Sequence, residues 1–153
     1  MTEKTFNANG IPIRYARVDK TLPAFKPSKY DDGDAGFDLY ARETKWIFPF
    51  VARKIPTNVC FEIPKGFFGR VCGRSGQTLK GKIVWAGTID ASYRGEVNVI
   101  MSGLLPRRVK RGERIAQIIF MPCMVNNEMT EVEIKDLTAT KRGDGGFGSS
   151  GRY

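Results

Sequence analysis

The amino-acid sequence predicts an all-β protein, a sandwich or a barrel, formed by a single domain. Runs of four to six residues rich in Val, Ile and Phe recur along the chain, and glycine or proline separates them. Apolar residues at helical spacing are nearly absent. The length of 153 residues and the hydrophobic content of 41% are enough for one domain with one core.

The predicted strands follow one another at short intervals. They cover residues 59–63, 67–72, 82–86, 96–100, 115–120 and 130–134. A turn at Pro64, Lys65 and Gly66 separates the first two strands. We expect one short helix around residues 77–80 and a β-hairpin over residues 87–96.

The composition restricts the chemistry. The chain contains no histidine, which excludes Ser-His and Cys-His catalysis and imidazole-bound zinc. A catalytic base would have to be a carboxylate, a lysine, a tyrosine or a cysteine. The three cysteines are an odd number without metal-ligand spacing, so we expect reduced thiols and no disulfide framework.

The net charge of +9 favours an anionic partner such as nucleic acid, a nucleotide phosphate or an anionic surface. The densest basic stretch, within residues 107–114, is short and lacks interleaved aromatics, as a solvated turn would. We therefore do not expect nucleic acid as a partner and assign this stretch no role. No apolar run approaches the ~20 residues of a membrane span, and the first residues lack a signal peptide's apolar stretch, so we expect a cytoplasmic protein with no membrane contact.

Asp34 and Asp38 lie four residues apart, close to Asp31 and Asp32. Carboxylates are the ligands that hard divalent cations prefer, so this acidic group is a candidate cation site. The alternative is an ordinary Asp/Gly turn that leads into a strand.

A second candidate site comprises Gly73, Arg74, Ser75 and Gly76. The guanidinium group, the hydroxyl and accessible backbone N–H groups could bind a phosphate. The alternative is a solvated loop with an incidental arginine.

The predicted hairpin at 87–96 contains Asp90, the best available general base, and Tyr93, whose ring could pack flat against a sugar. Its backbone groups could bind the edge of a base. The alternative is a plain hairpin in which Asp90 favours the turn. Further along, Gln117 lies in an apolar strand, where its amide requires hydrogen-bond partners. These are either backbone groups or a water or phosphate that the amide orients.

The segment after residue 138 is the one low-complexity part of the chain. It carries an arginine, an aromatic ring and two hydroxyls among glycines, groups that suit a flap closing over a nucleoside phosphate. A disordered tail is the alternative. We therefore predict a core domain over residues 1–138 and a flexible glycine-rich C-terminal arm over residues 139–153.

Together, in order and spacing, five segments resemble the five motifs of the homotrimeric dUTP diphosphatase (dUTPase) family. They are residues 34–41, 73–76, 87–96, 111–117 and 142–151. The resemblance extends over most of the chain from about residue 30. It implies a β jelly roll and a homotrimer whose active sites are shared between subunits. It also implies Mg²⁺-assisted hydrolysis of dUTP to dUMP and pyrophosphate, which limits uracil in DNA and supplies dUMP for dTMP synthesis.

The resemblance also assigns roles to single residues. Asp90 would activate the water that attacks the α-phosphate, Gln117 would assist at the phosphate and the water, and Asp38 would hold magnesium through waters. Tyr93 would stack below the deoxyribose and exclude a 2′-hydroxyl. The uracil would be bound by the segment comprising Gly87, Thr88 and Ile89, together with Asn98, and phosphates by Arg74, Ser75 and Gly76 from a neighbouring chain. In the arm, Phe147 would cover the uracil, and the phosphate-side residues would be Arg142, Gly148, Ser149 and Ser150.

Two departures from the family pattern concern substrate recognition. Gly73 stands where the family usually has a proline. Many members also carry an asparagine a few residues before the catalytic aspartate, and Val84 and Trp85 occupy that region here. We expect Trp85 to lie in the core or at an interface.

Two alternative functions remain open on this fold. One is dCTP deaminase, which needs a glutamate late in the strand after the hairpin, where residues 98–102 carry none. The other is a regulatory role, because some phage members of the family bind a repressor protein and the positive charge would also suit DNA.

Overall fold

The computed structural model describes residues 10–22, 26–85, 87–124, 128–141 and 143. Within these residues the chain forms eleven β-strands, one short α-helix and one 3-10 turn. In chain order they are β1 Arg14–Arg17, β2 Phe37–Tyr40, β3 Lys45–Ile47, β4 Arg53–Pro56, β5 Val59–Glu62, β6 Phe67–Cys72, α1 Ser75–Leu79, β7 Lys82–Trp85, β8 Gly87–Ile89, β9 Asn98–Gly103, β10 Arg107–Val109, β11 Arg114–Pro122 and the 3-10 turn Ile134–Asp136. α1 has only five residues, and none of the helices in these residues is long and apolar enough to cross a membrane.

The described strands pair in four sheets. The largest has the order β2-β11-β6-β8, the next has the order β4-β9-β7, and two ribbons pair β1 with β5 and β10 with β3. Every pairing is antiparallel. One apolar cluster receives residues from all the larger elements, among them Leu39, Ile47, Ile55, Phe61, Val71, Met101, Val109 and Ile118. The expected all-β jelly roll is confirmed.

Most predicted elements are present with small shifts. The strands at 67–72, 59–63 and 82–86 correspond to β6, β5 and β7, with Ala86 outside the described residues. The strand at 115–120 is longer than expected, since β11 runs from Arg114 to Pro122. The short helix is confirmed as α1. The three cysteines form no disulfide in the described residues, and Cys123 is exposed, whereas the sequence favoured packed thiols.

The predicted hairpin over residues 87–96 is wrong. β8 pairs with β6, whereas β9 pairs with β4 and β7, so the two flanking strands belong to different sheets. Val97 explains the difference, because its side chain is fully buried. Its N–H donates to Val59 O at 2.8 Å, and its carbonyl accepts the N–H of Thr57 at 3.2 Å. The chain therefore turns inward at Val97 instead of returning along β8, and β9 begins at Asn98.

The predicted strand over residues 130–134 is also wrong. The segment has the alternating pattern of a strand, but no strand of the described residues pairs with it, and Ile134 is 87% exposed in the 3-10 turn. Alternation forms a strand only where a neighbour accepts its backbone hydrogen bonds. Trp85 is not a core residue either: it is 57% exposed, and its Nε1 donates to Ser102 Oγ at 3.2 Å.

Candidate active site

Strand register brings the predicted site residues of three distant segments together. β11 lies between β2 and β6, and Gln117 pairs with Asp38 on one side and with Cys72 on the other. β6 ends at Cys72, so Gly73 and Arg74 follow directly beside Gln117. The sheet thereby joins the acidic segment, the Arg-Ser-Gly segment and the glutamine strand.

Asp38 is buried and binds two guanidinium groups. Its Oδ1 lies 2.9 Å from Arg74 Nε, and its Oδ2 accepts a hydrogen bond from Arg114 Nη1 at 3.2 Å. Charge-assisted contacts of this kind fix both partners. Asp38 therefore holds two arginine side chains at one edge of the sheet.

Arg114 was not among the predicted site residues. It belongs to the basic stretch that resembled a solvated turn, and the turn does occur, since Glu113 N donates to Lys110 O at 3.0 Å. Arg114, however, begins β11 opposite Tyr40 of β2, which brings its side chain to Asp38. No local pattern could have identified it, because residues three apart in a regular strand face opposite sides and the β2–β11 register shifts between Arg114 and Ala116.

A cavity of about 340 Å³ opens beside this group. Arg74 is the N-cap of α1, and Ser75 and Gly76 form its first turn. N–H groups in the first turn have no acceptor within a helix, so together with the guanidinium they favour an anion. The lining residues are Tyr30, Asp34, Ala35, Gly36, Asp38, Arg74, Ser75, Gly76, Gln77, Lys80 and Gln117. Of these, Tyr30, Ala35, Gly36, Gln77 and Lys80 were not predicted as site residues.

The amide of Gln117 is held against the backbone, one of the two arrangements expected. Its Nε2 donates to Gly73 O at 3.2 Å. Gly36 permits this position, because a Cβ there would lie 2.5 Å from Gln117 Oε1 and 3.1 Å from Gln117 Cβ. The amide lies in the wall of the cavity and can contact a bound ligand while it stays anchored.

Gly36→Ala should displace Gln117 and reduce activity. The clash involves the root of the glutamine side chain as well as its tip, so the side chain has to rotate out of the cavity wall. We expect kcat on the substrate to fall about tenfold or more, since a small misplacement near the reacting atoms costs up to ~100-fold. Gly10→Ala is the matched control, because a Cβ at Gly10 meets nothing within 4 Å. Equal steady-state rates for the two variants would show that the position of Gln117 is immaterial.

The predicted catalytic base lies in a second cavity of about 300 Å³. Its lining comprises Lys54, Thr88, Ile89, Asp90, Tyr93 and Asn98. Five of these six residues were predicted; Lys54 of β4 was missed, and no motif points to it. Asp90 is exposed, and its carbonyl accepts the N–H of Tyr93 at 3.0 Å in a tight turn. Gly87 lies in β8 next to this cavity but does not line it.

Tyr93 is held in one orientation. Its hydroxyl donates to Glu96 O at 3.0 Å, and its ring packs over Gly95, where a Cβ would lie only 2.5 Å from the hydroxyl oxygen. Asn98 Nδ2 donates to the same carbonyl at 2.8 Å. The Glu96 carbonyl thus fixes two side chains of the cavity.

The predicted site residues therefore fall into two groups that share no lining residue. One cavity has Arg74, Asp38 and Gln117, and the other has Asp90 and Tyr93. A single chain does not combine them in one pocket of the described residues. Arg142, Phe147, Gly148, Ser149 and Ser150 lie outside the described residues, so their predicted roles stay predictions.

The acidic side chains fit a metal ion that is held mainly by other ligands. The described residues contain no group of three or more Cys, Asp or Glu side chains that could hold a metal together. Both Asp38 oxygens contact arginines, and Asp34 Oδ2 accepts the N–H groups of Tyr30 and Asp31 at 3.2 and 3.1 Å. Mg²⁺ keeps several waters and binds through one or two carboxylates plus substrate phosphates. The donors present suit such an ion through water.

Glu113 stabilises the start of β11 through an ion pair and a backbone hydrogen bond. It forms an ion pair with the buried ammonium of Lys82, and its Oε2 accepts the N–H of Lys110 at 2.9 Å. Burial alone would raise the pKa of Glu113, but the hydrogen bonds from Lys82 and Lys110 outweigh it and hold the pKa below its usual value. Gln77 Nε2 donates to Arg114 O at 2.8 Å, which anchors the start of β11 to α1.

Glu113→Gln should destabilise the fold and weaken its acid sensitivity. The Lys82 side chain is only 9% exposed, so loss of its counter-ion should cost about 2 kcal/mol of unfolding free energy. Because folding lowers the pKa of Glu113, its stabilisation is present above the usual value of 4.5 and is lost as the pH falls through the folded value. Urea unfolding between neutral pH and pH 3.5 should therefore show a smaller acid loss in the variant than in the native chain. Parallel curves would mean that this ion pair adds nothing.

The fold and the first cavity indicate a class, that of β proteins whose cavity offers guanidinium and backbone N–H donors to a phosphate. The chain belongs to the dUTPase family, because the family model for dUTPase matches residues 23–151. It is 40% identical over 148 residues to a deoxyuridine 5′-triphosphate nucleotidohydrolase of Anaeromyxobacter, covering 93% of this chain and 99% of that protein. The enzyme of the same name from Vaccinia virus is 39% identical over 149 residues, with 95% and 98% covered.

A solved structure supports the same assignment. The dUTPase of Staphylococcus bacteriophage 80alpha, determined with dUpNHpp, superimposes with a TM-score of 0.80 at 28% identity. The match covers 92% of this chain and 98% of that chain. The family expected from the five motifs is thus confirmed.

Proposed function

We propose that this chain is a dUTP diphosphatase that hydrolyses dUTP to dUMP and pyrophosphate in the cytoplasm. The observation that carries the proposal is that two cavities hold different chemical groups. One has Arg74 and the Ser75 and Gly76 backbone, which suit a phosphate, and the other has the Asp90 carboxylate and Tyr93. Relatives at about 40% identity over nearly the whole chain carry that activity in their names. Selective pyrophosphate release from dUTP tests it.

Phosphoryl transfer needs a placed water, a base and neutralised oxygens. Asp90 is exposed at its turn and takes the proton of the attacking water. Arg74, Ser75 and Gly76 hold phosphate oxygens, and Asp38 keeps the Arg74 guanidinium aligned for them. Gln117 lies in the same cavity wall and orients the phosphate or the water.

Magnesium fits this scheme as part of the substrate. When bound, Mg²⁺ would neutralise charge on the triphosphate oxygens and so make the phosphorus more open to attack by water. Asp38 would hold it through water, because its own oxygens contact Arg74 and Arg114.

Selection of the nucleoside rests on the second cavity. Tyr93 is oriented by the hydrogen bond from its hydroxyl to Glu96 O and by the contact of its ring with Gly95. Its ring packs below the deoxyribose and leaves no room for a 2′-hydroxyl. Backbone groups of Gly87, Thr88 and Ile89, with Asn98 beside them, bind uracil.

The separation of the two cavities supports a homotrimer. Asp90 of one chain acts on a triphosphate held by Arg74 of another, and the arm of a third chain closes the site. In this scheme residues 1–138 form the core and residues 139–153 the arm, in which Phe147 covers the uracil and Arg142, Gly148, Ser149 and Ser150 contact the phosphates.

A further inference from the structure

An aromatic and basic surface lies on the outer side of the β3–β10 ribbon. Trp46 and Phe48 stack with ring centroids 6.5 Å and planes 23° apart, and Trp46 is 53% exposed. Arg108 of β10 pairs directly with Trp46 of β3. Paired residues share one face of a ribbon, and the opposite face buries Ile47 and Val109 completely. Trp46 and Arg108 therefore face outward side by side.

A second arginine completes this surface. The guanidinium of Arg53 lies over the Phe48 ring, 5.7 Å from its centroid. We call the group Trp46, Phe48, Arg53 and Arg108 the ribbon face. A cavity of about 440 Å³ opens along it and is lined by Lys45, Trp46, Phe48, Ala52, Arg53 and Lys54.

The arginines of the ribbon face are not neutralised. In the described part of the chain, neither Arg53 nor Arg108 forms an ion pair with a carboxylate. The nearby acidic group Glu43 is bound to Lys45 at 2.7 Å. Two guanidinium groups thus remain available to an anion, beside rings that remain available for stacking.

The turn between β3 and β4 presents another ring. Phe50 has a φ of 61° and is fully exposed. A bulky side chain at positive φ is a strained arrangement, and no burial of the Phe50 ring offsets this strain. The ring extends the aromatic surface past the end of the ribbon.

We infer that the ribbon face binds a single-stranded polynucleotide. Sites for single strands combine a positive groove that follows the phosphates with aromatic side chains on which the bases stack. Trp46 and Phe50 provide exposed rings, Arg53 and Arg108 provide phosphate contacts, and the net charge of +9 attracts the strand. Sequence alone did not indicate this site, because the aromatics that the basic stretch lacks are supplied across the ladder by β3.

Binding of labelled oligo-dT, followed by fluorescence anisotropy on the full chain, tests the inference. Trp46→Ala should weaken binding about fivefold or more through lost stacking. Arg108→Gln should also weaken it and should lower the slope of log K against log salt by about 0.7, as expected for one lost phosphate contact on a single strand. Lys65→Gln removes the same charge from the exposed β5–β6 turn and should change little. Duplex DNA should bind more weakly, because its bases are already stacked.

A second measurement, tryptophan fluorescence, distinguishes loss of oligo-dT binding from loss of folding. The chain has two tryptophans, Trp46 and Trp85. In Trp85→Phe only Trp46 emits, and oligo-dT should quench it; in Trp46→Phe, which keeps a ring on the ribbon face, the remaining emission should not change. The Trp46, Arg108 and Lys65 variants should turn over dUTP normally, and Trp85→Phe should keep the native circular dichroism spectrum, which shows that they fold. Absence of oligo-dT binding at low salt, equal effects of Arg108→Gln and Lys65→Gln, or an unquenched Trp46 would each overturn the inference.

Discussion

Asp90→Asn should lower kcat for dUTP by about 100-fold or more while dUTP still binds, because a general base contributes ~10²–10⁴-fold. Asparagine keeps the size of the side chain and its place in the turn, where the Asp90 carbonyl accepts the Tyr93 N–H. It cannot accept the proton of the attacking water. Single-turnover kinetics with isothermal titration of a non-hydrolysable dUTP analogue would separate chemistry from binding.

A mixing experiment sharpens this prediction. Asp90→Asn and Arg74→Ala alter different cavities. If sites form between chains, subunits of the two inactive variants that are unfolded and refolded together should regain part of the native rate, since some mixed sites receive both intact residues. Turnover by Asp90→Asn alone at a near-native rate would refute the assigned base, and mixtures that stay inactive would argue against shared sites.

Deleting residues 141–153 should abolish most activity and leave the oligomer intact. The deleted segment holds Arg142, Phe147 and both serines of the last motif, whereas every residue of the apolar cluster lies before it. Ordering a glycine-rich segment costs conformational entropy, which ring stacking and phosphate contacts must offset. The arm should therefore matter for the substrate complex and not for folding.

Kinetics and light scattering on the truncated chain check both halves of this prediction. Phe147→Ala in the full chain is the matched control, and it should reproduce part of the loss by removing only the ring. A truncated protein with full activity would eliminate the flap, and one that dissociates would give the arm a role in assembly instead.

Local patterns predicted the elements whose signals lie within the segment itself. The strand over 67–72 and the short helix after Arg74 follow from apolar runs and from glycine and proline positions, which act locally. The errors occurred where a distant contact decided the structure. Residues 87–96 resembled a hairpin, but burial of Val97 and its bonds to residues 57–59 send the next strand to another sheet. Residues 130–134 alternate without a partner strand.

In the candidate site too, local motifs identified some residues and distant contacts placed the others. Asp38, Arg74, Asp90, Tyr93 and Gln117 could be selected by motif, since each lies in a short recognisable segment. The contact of Asp38 with Arg114 depends on the β2–β11 register and its irregularity between Arg114 and Ala116, which no local pattern encodes. Lys54 likewise enters the second cavity through its place in β4.

Pyrophosphate release from dUTP, dTTP, dCTP and UTP, each with and without Mg²⁺, tests the proposed activity most directly. We expect fast release from dUTP with Mg²⁺, slow release from the other three nucleotides, and a large loss when the metal is chelated. Ammonia assayed alongside dCTP would detect a deaminase. Intact dUTP after incubation with Mg²⁺ and the purified full-length chain, or equal rates on all four nucleotides, would contradict the proposal.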